Sequence, residues 1–311
     1  MTSQVLARCG LSEIATPTQT LADDVRTYAA AGFGAIGIWI HKLERDRIDE
    51  FWIPQERIPH DVVEVAVAAV RSSGLRVSHL VLTGFFTGPG TYEDAVEHTL
   101  HAMDVAAAFD ADCLIVAPGR RNGRTYEETQ AVAARALSEV FERTTQRELR
   151  LALEPIVPWQ SDYLNTLAEA LDLVDLVDHP NLGVYPDTYH LWRTETLMED
   201  IERAGDRIFG VHLNDWDPED DHSRPLPGEG VIPLVDVVRA IEATGYRRTY
   251  DSEFTYDPAL IESSPDEFAP DVVVARCASA MSGLLEKALA AGSREVVEPD
   301  SDERRSFGAT R

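Results

Sequence analysis

The sequence predicts an α/β protein with the (β/α)8 TIM-barrel architecture in a single domain, and three observations point there. Short runs rich in β-branched and other apolar residues alternate along the chain with Ala- and Leu-rich stretches that carry charge on one face. The runs are apolar on both faces, as parallel strands covered by helices are. Eight such strand–helix units fit into residues 1–290, the length at which a barrel of this kind closes.

The strands are expected at SQVLARC, AIGIWI, LRVSHLVL, DCLIVAP, LRLALEP, LGVYPD, IFGVHLND and TYDSEF. Between them, TLADDVRTYAAAGF reads as a helix with Thr20 as N-cap and Gly32 as its stop. PHDVVEVAVAAVRSSGL ends its helix at Gly74. TYEDAVEHTLHAMDVAAAF places Thr91 and Asp94 at capping-box spacing. TYEETQAVAARALSEVFERTTQ and LNTLAEALDLVDLV follow, and IPLVDVVRAIEATGY has proline early and Gly245 at its end. A doubly wound sheet would want a glycine-rich turn after the first strand, and CGLSEIATP contains no GxGxxG.

Composition narrows the function classes. Hydrophobic residues make up 44% of 311, enough for a large core. The formal charge is −26, with 28 basic against 54 acidic residues and lysine only at positions 42 and 287. Such a surface repels phosphate backbones, so nucleic-acid partners are not expected. Cys9, Cys113 and Cys277 are widely spaced, odd in number and form no CxxC, which suits a reducing cytoplasm. The N-terminus shows no signal-peptide pattern, and no apolar run is long enough to span a membrane. Residues 291–311 are polar and charged, and read as a flexible tail or as an arm to a neighbouring subunit in a homo-oligomer or paired assembly.

Active sites of TIM barrels lie at the C-terminal strand ends. There LALEP supplies Glu154, GVYPD supplies Asp187 with His190 just beyond, VHLND supplies His212 and Asp215, and YDSEF supplies Glu253. Singly, each has an ordinary explanation: an arginine partner, a helix cap, a bonded core histidine, a turn former. Together they would crowd carboxylates into a barrel mouth, where burial is costly without compensation. A divalent cation held by Glu154, Asp187, His212 and Glu253 resolves this. The oxygen-rich set with one nitrogen and no thiolate favours Mn²⁺, with Mg²⁺ or Co²⁺ as alternatives. Open coordination positions would take vicinal oxygens of a polyhydroxylated carbonyl substrate, and Glu154 or Glu253 would serve as the base. His190 would touch substrate or metal-bound water.

The segments LALEP, YPDTYHLW, GVHLNDW…LPGEGVIPL and YDSEF resemble the xylose isomerase-like TIM barrels, and the sugar phosphate isomerase/epimerase group among them. That group includes ketose 3-epimerases, hydroxypyruvate isomerases, inosose dehydratases and C-glycoside deglycosidase subunits. The resemblance runs from about residue 5 to 285. It implies Glu154, Asp187, His212 and Glu253 as metal ligands and His190 as a substrate-contacting residue. It also implies Glu154 and Glu253 exchanging protons with opposite faces of the substrate. Two positions depart from the ketose epimerases: Gln160 stands where they carry a second glutamate, and Pro218 where they carry an arginine. Arg224 or Arg193 would take over substrate anchoring, and PGEG at 227–230 is similar to the inosose dehydratase branch.

Upstream, Trp39, His41 and His79 are further candidates for closing over a sugar, and Trp159 and Trp216 for stacking on it. Asp220 and His222 form a D-x-H pair that a three-zinc nuclease barrel would use, but Ala117 stands where that family places a histidine. The function expected is a divalent-metal-dependent sugar isomerase or epimerase, working by proton abstraction alpha to a carbonyl through a metal-bound enediolate. The alternative is a lyase of the same fold, an inosose-type dehydratase or C-glycoside deglycosidase that eliminates from a keto-sugar.

Overall fold

A computed structural model describes residues 2–45, 48, 57–88, 92–117, 119–219 and 223–290. The strands are β1 Cys9–Ser12, β2 Ala35–Trp39, β3 Arg76–Gly84, β4 Leu114–Ala117, β5 Leu151–Leu153, β6 Leu182–Val184, β7 Val211–His212 and β8 Tyr250–Ser252. All neighbours pair in parallel, in the order β6-β5-β4-β3-β2-β1-β8-β7. Parallel bridges Val184↔Ile208 and Asp187↔His212 join the two ends, so the sheet closes into a barrel.

The helices are α1 Thr2–Leu6, α2 Leu21–Ala31, α3 Ile40–Arg45, α4 His60–Ser73, α5 Tyr92–Ala108 and α6 Tyr126–Arg143. They continue with α7 Leu167–Val177, α8 Thr188–Leu191, α9 Leu197–Ala204, α10 Leu234–Ala243, α11 Pro258–Ser263 and α12 Pro270–Ala290. Thr20 caps α2 by accepting from the Asp23 N–H, and Gly32 ends it in the left-handed conformation. Gly74 ends α4 in the same way. Thr91, Asp220, His222 and the tail from residue 291 lie outside the described residues.

The first expected strand needs correction. SQVLARC does not run extended: Thr2–Leu6 turns as α1 against α12, and β1 starts only at Cys9. So short an apolar run fits a helical turn as well as a strand, and Leu6 buries its side chain either way. The helices α9 and α12, not specified from the sequence, complete the outer layer.

Side chains alternate along each strand, and this alternation sorts the core. Cys9, Leu11, Ile36, Ile38, Leu114, Val116, Leu151, Leu153, Val211 and Tyr250 face the helices and join the large outer core. The opposite parity faces the barrel axis, where Trp39, Val81, Ile115, Ala152 and Tyr185 form a second, smaller cluster. Polar groups share that interior. Tyr185 donates to Asp251 Oδ2 at 2.8 Å, and Ser78 donates to Asp251 Oδ1 at 2.7 Å. Two glycines make room for them. A Cβ on Gly10 would collide with the Asp251 carboxylate, and one on Gly37 with the His79 ring.

Candidate metal centre

The inward parity that places Ala152, Tyr185 and Asp251 in the barrel also brings Glu154, Asp187 and Glu253 to its rim two residues later in each case. His212, at the end of β7, joins them. All four are buried, and one ligand atom from each lies within 4.8 Å of every other. His212 Nδ1 lies 2.8 Å from Glu154 Oε1 and 3.8 Å from Glu253 Oε2. Asp187 caps the short helix α8 by accepting from the Tyr189 N–H at 2.8 Å, which fixes its carboxylate at the strand end.

Two cationic side chains attend three carboxylates. Arg224 Nη1 lies 3.0 Å from Glu253 Oε2 and 3.5 Å from Asp187 Oδ2, and its guanidinium rests 4.6 Å from the Tyr189 ring centre. Burial pushes the Glu154 carboxyl upward against the opposing pull of His212, while Glu253 and Asp187 add to the rise. Burial raises Asp187 as well, opposed by Arg224 and His212. For His212, burial works against the charged imidazole, but Glu253 and Glu154 outweigh it and raise its pKa. The donor set, three carboxylates and one imidazole converging from four strand ends, could hold a divalent cation.

The other residues singled out from the sequence divide into two groups. His190 stands beside the cluster, its Nε2 3.6 Å from Asp187 Oδ2 and 3.5 Å from Arg224 Nη2. Burial and the nearby Arg224 and His212 hold it well below its ordinary pKa, which favours the neutral imidazole. Arg224 and Trp39 line a cavity of about 630 Å³ that opens beside Glu253. By contrast, His79 lies inside the barrel below the rim, fully buried, with Nδ1 3.0 Å from the Tyr185 hydroxyl. His41 is buried in α3 and does not line that cavity. Asp215 organises the loop after β7, accepting from the N–H groups of Trp216, Gly228 and Ile232 at 2.9, 2.8 and 2.9 Å. The structure thus places His79 in the barrel interior beside Tyr185, and engages the Asp215 carboxylate with three backbone donors. The same bonds explain PGEG as a loop tied to Asp215.

Sequence reading passed over two residues that grip the cluster. Asn214 donates from Nδ2 to Asp187 Oδ2 at 3.0 Å and accepts from the Glu253 N–H at 2.6 Å, bridging two ligands. Its position between His212 and Asp215 was the available signal. Ser12 donates to Glu253 Oε1 at 3.1 Å, and only the strand register could have revealed it.

The cavity lining combines polar groups, Glu253, Arg224 and Gln160, with apolar ones that include Tyr256, Ile261, Phe268 and Val273. Trp159, 58% exposed, stands on its rim. Arg193 stacks instead on Trp216, 4.1 Å from the ring centre.

Comparison with known proteins agrees with this fold. The family profile described as xylose isomerase-like TIM barrel matches residues 25–272. A D-psicose 3-epimerase from Enterocloster bolteae is 30% identical over 119 residues, 38% of this chain and 38% of that protein. A 3-dehydroshikimate dehydratase from Pseudomonas putida is 32% identical over 129 residues, 37% of this chain but 19% of that protein. The matched stretches span well under two thirds of either relative. A solved structure of a Sinorhizobium meliloti protein superposes with a TM-score of 0.76 at 26% identity, covering 90% of this chain and 98% of that one.

Proposed function

This chain belongs to the xylose isomerase-like TIM-barrel family, and we propose that within it the protein is a divalent-metal-dependent isomerase or epimerase of a polyhydroxylated carbonyl compound. The buried cluster of Glu154, Asp187, His212 and Glu253 carries this reading. When bound, the cation, Mn²⁺ in preference to Mg²⁺ or Co²⁺, would polarise a substrate carbonyl and stabilise the negative charge that develops as an adjacent C–H bond breaks.

The protein's own groups do the rest. Glu154 and Glu253 approach the cluster from β5 and β8, and in this reading one takes the proton from the α-carbon while the other returns one. Return to the opposite face of the same carbon gives epimerisation, and return to the neighbouring carbon gives isomerisation. Arg224 lines the cavity and His190 lies against Arg224, and in this reading the two hold substrate hydroxyls. Trp39, Tyr189 and Tyr256 wall the cavity and limit water around the reacting carbon. Three buried free thiols accord with a cytoplasmic location.

A second reading, elimination from a keto-sugar, is favoured by the apolar residues in the cavity lining, among them Tyr256, Ile261 and Phe268, which suit a leaving group bulkier than hydroxide. The relative named as a dehydratase supports it. Both readings share the same first proton transfer.

The test is deuterium incorporation in D₂O by the Mn²⁺-loaded protein across ketoses, inosose and 3-keto-glycosides. Deuterium at a carbon beside the carbonyl, with the substrate otherwise intact, is the outcome for an isomerase or epimerase. Exchange with release of water or an aglycone would make the protein a lyase. Absence of exchange across all three substrate types would contradict the proposal.

A further inference from the structure

We propose that Ser12 and Trp39 form a two-step relay that sets the orientation of the Glu253 carboxylate, making both of them positioning residues for the metal centre. The inference rests on the metal-site reading above and extends it to residues outside the ligand set.

Strand register creates the relay. Leu11 on β1 pairs with Ser252 on β8, so the next residues, Ser12 and Glu253, stand side by side on the inward face. Ser12 pairs on its other side with Gly37 of β2, and Trp39 follows at the same parity. Trp39 Nε1 donates to Ser12 Oγ at 2.7 Å, and Ser12 Oγ donates to Glu253 Oε1 at 3.1 Å. All three residues are buried.

The direction of these bonds follows from chemistry. An indole N–H only donates, so Ser12 must accept from Trp39, and its own hydrogen is then directed to Glu253. The torsion that turns a glutamate carboxylate is soft and nearly two-fold, so either oxygen could face the cluster. The hydroxyl of Ser12 engages Oε1 and leaves Oε2 turned to Arg224 and His212. The relay is itself anchored: the Trp39 backbone N–H donates to Glu13 Oε2 at 2.8 Å. Glu13 is buried beside the Lys42–Asp24 ion pair, itself fully buried, at the ends of β1 and β2.

A double-mutant cycle on Mn²⁺ affinity, measured by titration calorimetry on the full chain, tests the relay. Ser12→Ala is expected to weaken Mn²⁺ binding about 10-fold, the lower end of the range for an outer-shell partner of a ligand. Trp39→Phe keeps the ring, loses the N–H, and is expected to weaken binding in the same sense. The double variant should bind no more weakly than Ser12→Ala alone, because Trp39 acts through Ser12. Ser12→Thr, which keeps the hydroxyl, should retain most of the affinity. Additive losses, wild-type affinity in Ser12→Ala, or a Thr variant as weak as Ala would each overturn the relay while leaving the metal site standing. Failure of the wild-type protein to bind Mn²⁺ at all would overturn both.

Discussion

His212 Nδ1 and Glu154 Oε1 lie 2.8 Å apart, joining the ends of β7 and β5 across the mouth of the barrel. The pair is buried and flanked by two further carboxylates, so its stability as a bare contact depends on protons. A cation at the centre would take over that dependence, because metal ligands must be deprotonated.

The pH dependence follows with a definite sign. Burial pushes Glu154 up to about 7 in the folded protein. A raised carboxyl pKa gives its full stabilisation below the ordinary carboxylate value and loses it as pH rises towards the folded value. The upward shift of His212 acts in the same direction at higher pH. Metal-free protein should therefore become less stable from about pH 5 to pH 8, while the Mn²⁺-induced rise in Tm grows over the same window. Thermal unfolding at several pH values, with Mn²⁺ or with chelator, checks this; a metal increment that shrinks as pH rises would contradict it.

Arg224 partly compensates two ligands, 3.0 Å from Glu253 Oε2 and 3.5 Å from Asp187 Oδ2. Arg224→Met leaves buried carboxylates without that partner, a change that costs about 3–5 kcal/mol where one member of a buried pair is removed. The metal-free variant should unfold at lower temperature, yet bind Mn²⁺ more tightly, since a competing positive charge is gone. Calorimetric titration and thermal unfolding together decide it, and weaker Mn²⁺ binding in a folded variant would count against this account.

Glu253→Gln retains an oxygen ligand but loses the carboxylate charge and the base. Partial metal binding with loss of turnover is the expected result. His190→Ala should leave metal content unchanged and raise KM more than it lowers kcat, because His190 borders Asp187 and Arg224 without belonging to the ligand set. Wild-type behaviour in both variants would show the site to be misassigned.

Inside the barrel, Gly37→Ala would drive a Cβ into the His79 ring. Overpacking of this kind costs about 1–3 kcal/mol. Denaturant unfolding should show that loss, and combining it with His79→Ala should make the glycine substitution nearly neutral. A full additive cost in the double variant would mean that the two residues do not collide.

The barrel, its parallel order and the four-residue cluster were legible because period-2 alternation and strand-end position are local properties of the sequence. LALEP, GVYPD, VHLND and YDSEF bring Glu154, Asp187, His212 and Glu253 to the rim at the strand ends. What could not be read depended on register between distant strands. Ser12 meets Glu253 only because Leu11 pairs with Ser252. His79 and Asp251 belong to the barrel interior only because Gly37 and Gly10 on neighbouring strands vacate space for them. Asp215 looked like its neighbours at the rim, but backbone donors of the loop at 216–232 claim its carboxylate. The helix α12 was legible and missed: Val273, Val274, Cys277, Met281, Leu284, Leu285 and Ala288 recur at helical spacing and are all buried.

The central claim is that Glu154, Asp187, His212 and Glu253 hold one divalent cation. Its most direct measurement is the Mn²⁺ stoichiometry of the purified chain, after reconstitution and removal of unbound metal, beside Asp187→Asn and His212→Ala. The account predicts one tightly held Mn²⁺ per chain in the wild type and its loss in both variants. A chain that retains no Mn²⁺, Mg²⁺ or Co²⁺ after reconstitution, or variants that keep the ion unchanged, would contradict it.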